Sequence, residues 1–346
     1  PKHGGSAEKL SSPPGVESFP KFSPDGRTIA FTGNYDGNQD VYTIPVNGGV
    51  PVRLTQHGFG DRVVDWTNDG RSVLFASGRE SARNRFNQFY TIAANGGPAE
   101  KLPFPYAGFG SYSPDGKQMA VVFVSQAFRN WKRYRGGMNA SIHLYNFTNN
   151  SSQNISATET AGNEFPMWHG EDIYFLSDRG TEERMNLWKY TVSTKKYEQL
   201  TNFKDYDIHF PSAGPAEIVF EQGGKLQLYS FATKQVKTVS VNLVIDKAAL
   251  KPRSVTVDKF IQHANISPDG NRVLIESRGD IFSLLAENGF VKNITRSTAS
   301  NERYPSWSPD GNTVAYWSDE SGEYNLWLAS AGSDVAPRKI TNYYTG

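Results

Sequence analysis

The feature that most constrains this chain is a short turn that recurs along it. It reads Ser23-Pro24-Asp25-Gly26, Thr67-Asn68-Asp69-Gly70, Ser113-Pro114-Asp115-Gly116, Ser267-Pro268-Asp269-Gly270 and Ser308-Pro309-Asp310-Gly311. Two eroded copies fill the gap, at His169-Gly170-Glu171 and Ala213-Gly214-Pro215. Proline presets φ, the aspartate side chain caps the following backbone, and glycine accepts the positive φ that closes the turn. Neighbouring copies stand roughly 41 to 56 residues apart, the period of a four-stranded propeller blade. A sheet of that size cannot bury both faces alone. The copies must therefore stack around an axis.

Each repeat has the same internal order. An aromatic-proline lead-in comes first: Phe19-Pro20-Lys21-Phe22, Phe165-Pro166-Met167-Trp168, Phe210-Pro211, Tyr304-Pro305-Ser306-Trp307. After the turn comes an apolar run that reads as a buried strand, such as Val73-Leu74-Phe75 or Ile173-Tyr174-Phe175-Leu176. A polar turn leads to a third strand, for example Asp40-Val41-Tyr42-Thr43-Ile44. Asn47-Gly48-Gly49 then signals a hairpin into a more polar outer strand, Val52-Arg53-Leu54-Thr55. No segment sustains apolar residues at helical spacing. The expectation is an all-β propeller of seven four-stranded blades.

Composition narrows the function. Net charge is +1 and 13% of residues are aromatic, so no global field draws the chain to nucleic acid or an anionic membrane, and bulky rings are available to fill wedges between blades. No apolar stretch approaches the ~20 residues that span a bilayer. Cysteine is absent, which excludes disulfides and thiol chemistry. Its absence suits an oxidising compartment such as the periplasm, and equally a cytoplasmic chain that lacks cysteine by chance. The six histidines are scattered without metal-ligand spacing. No Gly-Xaa-Ser-Xaa-Gly elbow occurs. No catalytic residue, metal ligand or cofactor site is expected here.

The ends and the wide spacings suggest the organisation. Gly4-Gly5-Ser6-Ala7-Glu8-Lys9-Leu10 matches Gly48-Gly49-Val50-Pro51-Val52-Arg53-Leu54 and Gly96-Gly97-Pro98-Ala99-Glu100-Lys101-Leu102. The chain is thus expected to open on the closing strand of a blade and to be a piece of a longer polypeptide. Val241 to Asp258 lacks the blade pattern, whereas Gln126 to Gly137 is an insertion between the second and third strands of its blade. The expected domains are residues 1–245 (a closing strand plus five full blades), a linker over 246–258, and residues 259–346 (two blades of a second propeller). One closed seven-bladed ring is the alternative.

Within the insertion, Trp131-Lys132-Arg133-Tyr134-Arg135-Gly136-Gly137 resembles the W-x-x-Y-R-G-G segment of the tricorn protease family. Lys251-Pro252-Arg253, Ser277-Arg278-Gly279-Asp280-Ile281-Phe282 and Arg303-Tyr304-Pro305-Ser306-Trp307-Ser308-Pro309-Asp310-Gly311 are similar to the start of that family's second propeller. The Pro-Asp-Gly repeat alone is shared with TolB-type proteins and prolyl-oligopeptidase-like enzymes. The resemblance implies a six-bladed and a seven-bladed propeller, followed by a PDZ-like module and a serine-protease core. On it, this chain is non-catalytic and gates and guides oligopeptides to a catalytic core beyond Gly346. Its partners would be oligopeptides and the PDZ-like and protease domains of the same polypeptide, with homo-oligomerisation left open.

Two groups of candidate residues follow from the residues themselves. Counting back from the turns places Arg62, Glu164, His209 and Arg303, with Ser18, Gly108 and Gln262, just ahead of the innermost strands, where they would ring a central channel. Guanidinium pairs with a peptide carboxylate and glutamate with its ammonium. The insertion's Trp131, Arg133, Tyr134 and Arg135 could stack nucleic-acid bases, but a neutral chain without a second basic patch favours a structural clamp bonding blade carbonyls. Two other classes stay open: a free-standing TolB-like propeller binding proteins in the cell envelope, and a propeller lyase or hydrolase acting on sugars.

Overall fold

A computed structural model describes residues 3–11, 13–81, 86–130, 132–156, 160–243, 253–297 and 299–344. The chain divides into two compact units, Pro1–Ile245 and Asp246–Gly346. Seven four-stranded antiparallel sheets, each with its strands in sequence order, make up almost all of the regular structure. Five belong to the first unit. Their inner strands are Glu17–Phe22, Asp61–Trp66, Phe109–Tyr112, Asn163–His169 and Ile208–Ala213. The second unit has two, with inner strands Ile261–Ile266 and Glu302–Trp307. The fold is an all-β array of propeller blades. Among the described residues, no helix is long and apolar enough to cross a membrane.

The recurring turn is built the same way five times. Asp25 Oδ1 accepts from Ser23 Oγ at 2.6 Å and from Arg27 N at 3.1 Å, while Gly26 N donates to Ser23 O at 2.8 Å. The glycines sit at φ 69° to 73° at positions 26, 70, 116, 270 and 311, a region costly for any residue bearing a Cβ. These bonds to the charged form hold Asp269 and Asp310 down at about 2, the Ser267 and Ser308 hydroxyls acting first. Local sequence therefore fixes where each inner strand hands over to the next.

Burial lies between blades. Ala30, Val41 and Leu54 of the first blade pack against Val63, Trp66, Phe75 and Tyr90 of the second. The pattern repeats with Leu74 and Phe89 against Met119 and Val121, then Ala120 and Ile142 against Ile173 and Phe175, then Leu176 and Leu187 against Ile218 and Phe220. Phe75, Phe89, Phe175 and Phe220 are 1% exposed or less, and burying each contributes about 2–3 kcal/mol. Both faces of the middle strands are covered, which is why they read as continuous apolar runs.

The aromatic-proline lead-in has a backbone cause. Phe19, Phe165, Phe210 and Tyr304 stand at φ 52°, 53°, 46° and 54°. The ladder shifts register at each: between Ser18 and Lys21, Glu164 and Met167, His209 and Ser212, Arg303 and Ser306. A bulge on an edge strand tolerates proline, which has no N–H for the ladder. In the first unit the left-handed phenylalanines bring their rings together across blades, Phe210 meeting both Phe19 and Phe165. Strained non-glycine positions of this kind cost about 1–3 kcal/mol each. Surrounding contacts hold them.

One expectation changes at the N-terminus. Gly4 and Gly5 adopt φ 83° and 121°, close to Gly48 and Gly49 at 83° and 145°, so the matched turn is preserved. The segment Glu8–Leu10 forms no strand. Instead Gly5–Ser6 pairs in parallel with Val241–Asn242, through Gly5 N to Ser240 O at 3.0 Å and Ala7 N to Asn242 O at 2.9 Å. Outer-strand pairing needs a third strand alongside, and none lies beside Glu8–Leu10 among the described residues.

Candidate channel site

The register places the sequence candidates on one level. Ser18, Arg62, Glu164 and His209 pair opposite Thr32, Ala76, Leu176 and Glu221, each the penultimate residue of its second strand. Arg303 holds the same slot in the second unit, opposite Trp317. Gly108 precedes the third inner strand and donates its N–H to Val122 O at 2.7 Å. The first and fifth inner strands meet where Lys21 Nζ donates to Ser212 Oγ at 2.9 Å. Five inner strands of the first unit thus approach one axis.

One level further along, rings line and narrow the axis. Phe109 lies 4.2 Å from Phe165 centroid to centroid, Phe165 5.7 Å from Phe210, and Phe210 6.1 Å from Phe19. Phe128, from the insertion, enters the same cluster at 5.8 Å from Phe19 and 6.0 Å from both Phe109 and Phe210. The rings meet largely tilted or edge to face, the favoured geometry of their quadrupoles. Below them lies a polar level. Burial pushes the Lys21 ammonium down and the Asp65 carboxyl up, each charge partly offsetting the other's cost.

Arg62 and Glu164 are enclosed rather than displayed. The guanidinium of Arg62 lies 4.3 Å from the Phe109 ring, 5.0 Å from Phe128 and 5.4 Å from Phe19. Its Nη2 donates to Gly108 O at 2.5 Å, and its Nη1 is buried without a hydrogen-bond partner among the described residues. Burial brings it down to about 10, against the pull of Glu164. Glu164 is 1% exposed. It accepts from Ser125 Oγ at 2.9 Å and from the Gln126 N–H. Burial pushes its carboxyl up to about 7, while those two donors and Arg62 pull the other way. His209 is exposed on the same level, its ring 6.1 Å from Phe210. In the second unit, Arg303 has its Nε buried without a partner among the described residues.

The insertion's cations bind neighbouring blades. Arg135 Nη1 pairs with Asp178 Oδ2 at 2.7 Å, and Asp178 Oδ1 accepts Gly162 N at 2.7 Å. Arg133 Nε donates to the Glu183 carbonyl at 3.2 Å, and Lys132 Nζ pairs with Asp207 at 3.2 Å. The ring of Tyr134 lies against Gly136, where an added Cβ would collide with its hydroxyl. Trp131 falls outside the described residues. The cations of this insertion are its conspicuous feature in the sequence, yet Gln126 and Phe128, with the preceding Ser125, are the residues that reach Glu164 and Arg62. One signal was present, a phenylalanine inside a polar insert.

Chemistry is sparse elsewhere. Ser152 Oγ lies 3.3 Å from His143 Nδ1, across outer strands of the third blade. The imidazole packs on Phe123 at 4.7 Å, and burial pushes it down. No carboxylate orients its other nitrogen among the described residues, so the triad logic is incomplete. Among the same residues no group of three or more His, Asp or Glu could hold a metal ion.

Comparison with known proteins agrees with the array of blades. The chain is similar to a tricorn protease homolog of Saccharolobus solfataricus, 26% identical over 315 residues that cover 88% of this chain and 28% of the relative. It is also similar to tricorn protease homolog 1 of Streptomyces coelicolor, 25% identical over 343 residues, 97% of this chain and 32% of the relative. The crystal structure of the tricorn protease superposes with a TM-score of 0.63 at 19% identity, covering 96% of this chain and 32% of that one. This chain spans about a third or less of the relatives it matches. Residues 1–235 match the model of the tricorn protease N-terminal beta propeller domain. On that match, the chain belongs to the tricorn protease family.

Proposed function

We propose that this chain is a non-catalytic propeller region that gates and guides oligopeptides toward a serine-protease core outside it. The observation that carries the reading is the ring-lined axis of the first unit. An extended peptide can thread an axis framed by inner strands; a folded chain cannot. Phe128 and Phe210 are 56% and 48% exposed there, beside the exposed imidazole of His209. They offer stacking and apolar contact to any passing side chain, a tolerant mode suited to mixed sequences. Arg62 and Glu164 serve by holding the rings in place, and the contacts of Arg133 and Arg135 tie the insertion to its neighbours. The six-bladed and seven-bladed division of the family, with a PDZ-like module and protease core as partners, belongs to the same reading.

The test uses this chain alone. A fluorescein-labelled, unstructured oligopeptide rich in apolar residues should bind saturably by anisotropy, and His209→Ala with Phe210→Ala should weaken that binding about tenfold, the loss of two modest ring contacts. A flat titration would sink the guiding role. The peptide should remain intact after long incubation. Its cleavage by this chain would overturn the placement of the catalytic core elsewhere.

A further inference from the structure

The phenylalanine cluster has one member unlike the others. Phe19, Phe109, Phe165 and Phe210 ride on inner strands hydrogen-bonded to their blades. Phe128 rides on a segment with no strand, between Gln118–Val122 and Ile142–Asn146. It touches three of those rings and Arg62, yet remains 56% exposed. Beside it lies a cavity of about 580 Å³ lined by Arg62, Tyr106, Gly108, Phe123, Ser125 and Phe128. The ring has space to leave its seat.

What keeps it seated is compact. Glu164 takes the Gln126 N–H and the Ser125 hydroxyl on its two oxygens. Ser125 Oγ also accepts Ala127 N at 3.1 Å, and Arg129 N donates to Gln126 O at 2.9 Å. A turn over residues 125–129 is thus hooked onto the fourth blade through Glu164, and Gln126 Nε2 ties it to Met138 O at 2.8 Å. Gly108 makes room for it: a Cβ there would come within 2.7 Å of Ser125 Cβ. The backbone hook, the glycine gap and the adjoining cavity point to the same segment.

We propose that Phe128 is the movable leaf of the aromatic constriction, latched through Glu164, and that it sets the size of side chain able to pass the first unit. The latch and the leaf stand on the geometry alone. The size selection rests on the peptide-guiding reading above. With the leaf seated, small side chains clear the axis and large aromatic ones must displace Phe128 toward the cavity. Peptides rich in glycine and alanine are therefore the favoured class, and peptides carrying tryptophan or phenylalanine are retarded.

The absence of cysteine makes the leaf easy to follow. An Ala127→Cys variant carries a single thiol on the turn, and its reaction rate with a thiol reagent reports local opening. Adding Phe128→Ala or Glu164→Ala should speed that reaction about tenfold or more, whereas Glu164→Gln, which keeps an acceptor oxygen, should stay within about threefold. A Glu100→Cys control on an outer strand should not respond. If Glu164→Ala loses its cooperative unfolding transition, Phe128→Ala decides, because its ring is exposed. Unchanged labelling in Phe128→Ala overturns the leaf. In the longer protease polypeptide, Phe128→Ala should raise kcat/KM more for tryptophan-containing peptides than for glycine-alanine peptides. Equal gains overturn the size selection while leaving the latch standing. Loss of peptide binding by this chain removes the guiding role instead, a separate result.

Discussion

Two lead-ins with nearly the same sequence end in different surroundings. Phe165-Pro166-Met167-Trp168 in the first unit and Tyr304-Pro305-Ser306-Trp307 in the second share the positive φ, 53° and 54°, and the same shift of register. In the first unit the ring is packed against Phe109 and Phe210, and the preceding Glu164 captures the insertion's backbone. In the second, Tyr304 is 55% exposed beside His263 at 4.6 Å, and its N–H is taken by Glu276 at 2.8 Å. Chain path is a local property, repeated wherever the tetrapeptide recurs. The occupant of the axis is supplied by other blades and by an insertion more than twenty residues away along the chain.

The two units should differ most in their response to pH. The carboxyl of Glu164 sits at about 7 in the fold against 4.5 ordinarily. Its contribution to stability is therefore full below about pH 4.5 and is lost as pH rises through about 7. The first unit should lose up to about 3 kcal/mol across that window, and Glu164→Gln should flatten the profile. Urea unfolding at a series of pH values, read by hydrogen exchange of each unit's middle strands, measures it. A profile without that fall would mean the carboxyl is not closed off from water.

Next come the rings themselves. Phe165→Ala should cost about 2–3 kcal/mol, because the cluster cannot collapse into the space, while Tyr304→Ala should cost less than about 1 kcal/mol. The same unfolding measurement applies, and equal costs would erase the distinction between the two lead-ins. The smallest effect tests sameness. Trp66 Nε1 donates to Lys21 O at 2.9 Å, and Trp307 Nε1 donates to Asn265 O at 3.1 Å, one blade back in each unit. Trp66→Phe and Trp307→Phe should each cost about 1 kcal/mol, the net worth of one such bond. A marked inequality would show that inter-blade bonding differs between the units after all.

How much was legible follows the same division. The turns at Gly26, Gly70, Gly116, Gly270 and Gly311 could be read because serine, aspartate and glycine act within five residues of one another. The slots Arg62, Glu164, His209 and Arg303 could be counted because a ladder preserves register once its turn is placed. In the divergent sixth repeat the count slips by one: His263, not Gln262, pairs opposite Glu276, because Gln262 lies in the bulge. The enclosure of Arg62 and Glu164 was not legible. Charge at a channel-facing slot suggests a displayed ring, and nothing in the residues nearby announces that Phe109, Phe128 and Phe19 close over the guanidinium.

By itself the sequence determined the blade, its turns, its aromatic-proline lead-in and the tally of repeats, since each depends on hydrogen bonds and φ preferences spanning a few residues. Only the tertiary structure decided what stands on the axis of the first unit. Rings from four blades and one insertion converge there, and desolvation of a single arginine and a single glutamate depends on all of them at once. Distances across a ring of sheets are not written in the order of residues along any one of them.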